Sequence, residues 1–235
     1  TSISKRTHEK TFVFFTRPLY EIRAGVQTFE NVLIMAACLL IRTDRWRMIM
    51  SKSLELQIVS ECAPTLAGIK TANLFNYKYS DKEAFILELD SANEELNKKG
   101  LYIKALRSSD TSALIYVYRR NLLFKDLNKD EVWNILTDYG YTIRNVDESI
   151  KRLEQRLGES VCFPHEIGLF LGYPAEDVKE FIANKGQNCK CCGVWKVYSN
   201  EQESVRTFER FKKCSMVYQK VFTGGRTLNQ LTVNA

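Results

Sequence analysis

The stretch LYIKALRSSDTSALIYVYRR, residues 101–120, constrains the fold of this chain more than any other. Two runs rich in Ile, Leu, Val and Tyr flank SSDTS, a short polar break. Strand formers on both sides of a polar turn predict an antiparallel β-hairpin. Helical patterns surround it. Phe85, Leu89, Ala92 and Leu96 recur at helical spacing, with Ser80 and Glu83 placed as a capping box and Gly100 as a terminator. KDEVWNILTDYG predicts a short helix. Asn145 and Glu148 then open a stronger one, with Val146, Ile150, Leu153 and Leu157 as its stripe before Gly158.

The remaining segments extend the pattern. SECAPTLAGIKTANLF, residues 60–75, reads as a helix opening near Pro64, because proline suits a first helical position. HEIGLFLGYP (165–174) reads as a buried strand, PAEDVKEFIANKG (174–186) as a helix, and GVWKVY (193–198) as a strand. Asn200 and Glu203 cap a helix through Phe211. SMVYQKVF fits a strand or a continuation of that helix equally well. The sum is an α+β class, with one domain over residues 51–235 whose small, mainly antiparallel sheet is flanked by helices. Residues 1–50 show no sustained period, and Met48 and Met50 precede an ordinary-looking start at Ser51. These fifty residues are expected to be an N-terminal extension: poorly ordered, translated from upstream of the natural start, or a short amphipathic arm.

Composition narrows the function. With 45% apolar residues the chain can bury a core. The net charge of +6 is concentrated at the start, where residues 1–50 hold eight Lys/Arg against four Asp/Glu. No basic run with interleaved aromatics follows, so nucleic acid is not an expected partner. VLIMAACLLI (32–41) is too short for a bilayer span of about 20 residues, so no membrane is expected either. The seven cysteines are an odd number, and no stretch ahead of them reads as a secretory signal. Reduced thiols in a cytoplasm are the expectation.

CAPTLAGIKTANLF, FPHEIGLFLGYPAEDV, NCKCCGVWKVY, FKKC and LNQLTV occur in that order. Together they resemble an uncharacterised bacterial family, domain of unknown function 3793, from about Glu55 to the C-terminus. The resemblance implies a bacterial protein and supplies no activity. Chemistry has to come from the residues.

Two constellations carry it. The first is Cys62 with His165, the one histidine beyond the first fifty residues. A thiol at a helix N-terminus meets the positive end of the dipole, which favours thiolate. Such a nucleophile needs a base. HEIGLFLGY is similar to the histidine strand of papain-like cysteine peptidases, and Cys before His is the order of that superfamily. Gln57 stands near the place of an oxyanion-hole glutamine, and Asn188 or Asn200 would orient the imidazole. Ala63 replaces the usual tryptophan after the cysteine. The expectation is a thiol-dependent acyl-transfer or hydrolase site, with Cys62 as nucleophile, His165 as base and Gln57 as oxyanion donor on a papain-like fold. The competing reading makes Cys62 a buried apolar filler.

The second constellation is Cys189, Cys191 and Cys192, with Cys214 further on. Thiolates bind zinc or an iron–sulfur cluster. These four form one candidate metal set; Cys162, His165, Cys189 and Cys191 form another. The run reads as C-x-C-C and not as paired knuckles. A metal- or redox-binding module without catalysis is therefore the alternative function, and a surface turn with incidental thiols is the bland one. LAGIKTAN lacks the phosphate-binding loop pattern.

Overall fold

A computed structural model describes residues 54–159 and 163–234. The N-terminal extension, residues 1–50, and Cys162 lie outside the described residues.

The expected hairpin is the centre of the molecule. Strands β2 (Leu101–Ser108) and β3 (Ser112–Arg119) pair antiparallel, and β1 (Ala72–Lys78) pairs antiparallel with the other edge of β3. The sheet order is β1-β3-β2. Strands β1 and β2 therefore run parallel with β3 between them, and helix α2 (Lys82–Leu96) is the crossover.

Side-chain alternation along β3 divides the core in two. Leu114, Tyr116 and Tyr118 face one cluster, and Ala113, Ile115 and Val117 face the other. The first cluster is closed by α3 (Arg120–Leu127), α4 (Asp130–Thr137), α5 (Val146–Glu159), α6 (Ile167–Phe170) and α7 (Ala175–Ala183). The second is closed by α1 (54–66) and α2, with Leu228 from α9 (Leu228–Leu231). Both faces of β3 are covered, so its sequence is nearly all apolar and shows no polar alternation. The remaining elements are a two-residue ribbon, β4 (Cys191–Cys192) with β5 (Lys196–Val197), and the long α8 (Glu201–Thr223).

Three expectations are corrected and one open alternative is resolved. Residues 60–75 are not one helix. Gly68 adopts φ +71° and ends α1, after which β1 begins at Ala72. Pro64 consequently lies in the last turn of α1, and Cys62 is not at a helix N-terminus. The run HEIGLFLGYP is not a strand but carries α6; a short buried apolar run has the same pattern in either conformation. Glycine permits its packing, since a Cβ on Gly168 would stand 2.8 Å from Val178 Cγ2. Asp81 and not Ser80 caps α2, accepting from the amides of Glu83 and Ala84. SMVYQKVF continues α8 to Thr223. No described helix is long and apolar enough to cross a membrane.

Arg119 closes the architecture. It ends the central strand and is buried to 1% exposure. Its Nε donates to the Thr65 carbonyl at 2.8 Å, one terminal nitrogen to Leu66, and the other to Lys99 at 3.2 Å and Val233 at 2.7 Å. These carbonyls end α1, precede β2 and sit in the C-terminal tail. One guanidinium thus satisfies backbone acceptors that α1 leaves without partners inside the helix.

Replacing Arg119 by Met is expected to cost about 3 kcal/mol or more in urea unfolding, because several buried carbonyls lose a charged donor together. A loss below about 1 kcal/mol would mean that these carbonyls find other partners.

Candidate functional site

Cys62 projects from α1 into the second cluster and is fully buried. Desolvation pushes its thiol well above the usual cysteine range, with the nearby Lys70 pulling in the other direction. Lys70 is buried as well, and desolvation lowers its ammonium to about 8. Its Nζ donates to the Ala72 carbonyl and to Asn73 Oδ1 at 3.2 Å, and lies 5.3 Å from the centre of the Tyr173 ring.

His165 is exposed, with its ring edge-on to Phe181 at 5.1 Å between centroids. Gln57 donates its amide to the Asn76 carbonyl at 3.1 Å. Among the described residues no hydrogen bond joins Cys62 to His165, or either to Gln57. The residue after His165 is bound elsewhere. Glu166 is buried, pairs with Arg156 and accepts from the Tyr141 hydroxyl at 3.4 Å.

The cysteine run is built differently. Asp177 of α7, buried to 1% exposure, accepts from the Trp195 indole and from the amides of Tyr198 and Ser199, each at 2.8 Å. This carboxylate pins the β4–β5 ribbon to α7. Trp195 packs edge-on against Phe208 of α8 at 4.5 Å between centroids. Gly193 passes so close to Phe208 that a Cβ there would meet the ring at 2.2 Å. Lys196 Nζ donates to the Gly186 carbonyl at 2.6 Å, and Lys190 Nζ to Ser199 at 2.7 Å. Asn188 adopts φ +61° immediately before Cys189.

On this frame Cys189 Sγ and Cys192 Sγ stand 3.2 Å apart. Cys192 is exposed and Cys189 half-exposed. The Cys192 thiol is raised first by its hydrogen bond with Cys189 and then by desolvation, while Lys196 pulls it down. The Tyr198 hydroxyl is buried without a hydrogen-bond partner; desolvation and then the charge of Cys189 and Cys192 raise it. Cys191 is raised by desolvation and by Glu201. Cys214 lies on α8, near Tyr218. Among the described residues no group of three or more His, Cys, Asp or Glu side chains is arranged to hold a metal ion.

Of the four cysteines expected to act together, the structure therefore joins two. Their spacing is visible in the sequence. Cys189 and Cys192 are themselves a C-x-x-C, masked by Cys191 within it. Asp177 gave no signal, because a carboxylate early in a helix ordinarily reads as a dipole partner.

The family model described as protein of unknown function (DUF3793) matches residues 58–232, so the chain belongs to that family. No curated protein and no solved structure matches it.

Two outcomes follow from the buried pair. Cys62→Ser is expected to destabilise the fold by about 1–3 kcal/mol, since it places an unpartnered hydroxyl in the second cluster. Lys70 holds a native pKa below its unfolded one, so between about 8 and its usual value of 10.5 the unfolded chain binds more protons. Stability measured relative to Lys70→Met is expected to rise with pH across that window and to be flat below it. A falling difference would contradict the burial of Lys70.

Proposed function

We propose that the Cys189–Cys192 pair is a redox-active dithiol that exchanges with disulfides, and that this pair is the working group of the chain. One observation carries the reading: two accessible sulfurs stand 3.2 Å apart on a pinned ribbon. A disulfide needs about 2.05 Å between its sulfurs, a further approach that side-chain rotation supplies.

The reaction balances with a small disulfide as oxidant. The Cys189 thiolate attacks one sulfur of R–S–S–R, the S–S bond breaks, and RS⁻ leaves with the electron pair. Cys192 then gives up its proton and attacks the Cys189 sulfur, expelling the second RS⁻. The dithiol is oxidised, the incoming disulfide is reduced, and two RSH form once the thiolates take up the released protons. Cys192 is assigned the second attack because its thiol is raised, first by the contact between the two sulfurs and then by desolvation. The reading implies a reducing compartment such as a bacterial cytoplasm, where the dithiol is the resting form.

The hydrolase reading at Cys62, His165 and Gln57 has less support. A thiolate at Cys62 would have to form inside hydrocarbon, against the shift that burial imposes.

Oxidised glutathione is expected to remove two hydrogens from the intact mass and to link Cys189 to Cys192 in peptide mapping. Cys192→Ser is expected to stop at a glutathione adduct on Cys189. Failure to form the 189–192 bond, or equal adduct formation at Cys191 and Cys214, would end the proposal.

A further inference from the structure

A second feature lies in the helical layer that closes the first cluster. Residues 140–143 and α5 enclose a cleft of about 330 Å³. That is at the low end of the roughly 300–1,000 Å³ typical of small-molecule sites. It is more than a bare tetrahedral anion fills.

The lining is built from donors. Ser149 is buried to 2% exposure, lines the cleft, and its hydroxyl has no hydrogen-bond partner. Arg152 lines it too, and its Nε is buried without a partner. The remaining contacts of that guanidinium are long: 3.5 Å to Gln155 Oε1 and 3.6 Å to Glu159 Oε2. One turn further along α5, Arg156 is taken up by Glu166. The carboxylate that Arg152 meets, Glu159, is exposed and stands 3.6 Å from one terminal nitrogen, leaving Nε without a partner. Lys151 adds a second cation, and Glu148, 4.0 Å from Lys151, is the carboxylate among the lining residues. The cleft opens beside the first turn of α5, whose dipole adds positive potential.

The glycine at the mouth is matched to the arginine. Gly140 adopts φ +78°, and a Cβ there would stand 3.3 Å from a terminal nitrogen of Arg152. The turn therefore follows the guanidinium closely.

We propose that this cleft binds a small phosphate-bearing ligand, with the phosphate held by the Ser149 hydroxyl and the Arg152 guanidinium and a compact organic group filling the rest. Two buried donors without acceptors are costly, and an oxyanion accepts from both once the two side chains turn toward the cleft. The residual volume favours a phosphate monoester over free phosphate. This binding is independent of the dithiol.

The test uses the full chain in chloride of matched ionic strength. Inorganic phosphate and glycerol 3-phosphate are titrated separately, with amide chemical shifts and the Arg152 Nε–H resonance as readouts. The expected result is saturable shifts confined to residues 140–155, tighter for the monoester. Arg152→Gln and Ser149→Ala should each weaken binding by about tenfold or more, the loss of one hydrogen bond to a charged group. Equal affinity for the two probes would reassign the occupant to free phosphate and overturn the monoester. No saturable shift with either probe, shifts elsewhere on the chain, or unchanged affinity in both variants would overturn the site. Should Arg152→Gln fail to fold, the wild-type shift map and Ser149→Ala decide it.

Discussion

The Arg119 guanidinium is the interaction on which the rest of the structure depends. It sits at the end of the central strand and donates to carbonyls of α1, of the turn before β2 and of the C-terminal tail. Lys99 repeats the arrangement, donating to Asn229 at 2.5 Å and Thr232 at 3.0 Å, so the tail is held from two sides. Buried carbonyls at a helix end need donors, and at the end of α1 the long-range cation adds to local ones such as the Gly68 amide, which donates to Thr65 at 3.1 Å. Fixing the end of α1 fixes what that helix buries, Cys62 included.

The same economy explains where reactive chemistry is found and where it is not. Cys62, Lys70, Glu166 and Asp177 all carry groups capable of chemistry. Each is buried and turned inward, to hydrocarbon, backbone carbonyls, an arginine or an indole. Their polarity is spent on holding segments together. Thiols that a solute can reach occur instead on the ribbon that Asp177 secures, and unpartnered donors occur along α5. Structural polar groups and chemically available ones occupy separate parts of the fold.

Legibility in the sequence followed the range of the interactions. The β2–β3 hairpin, α4, α5 and α7 were readable because local period and caps specify them; Asn145 does accept from the amides of Asp147 and Glu148. The break at Gly68 was missed because LAGIKTANLF has helical spacing until β3 claims Ala72–Lys78 as a strand. α6 was missed because an apolar run closed on all sides carries no period. Arg119 was illegible: beside Arg120 it looks like one of two surface cations, yet Arg120 pairs with Asp147 at the surface while Arg119 is sealed. The dithiol was half legible, since the cluster was evident and the pairing within it was not.

The central claim is a division of thiols, and site-resolved alkylation of the folded, reduced chain tests it most directly. Iodoacetamide under native conditions should modify Cys189 and Cys192 early, and Cys62 only once the fold is opened by denaturant. Native labelling of Cys62 at the rate of the ribbon cysteines would contradict the account, because a sulfur enclosed by the second cluster has no route to the reagent.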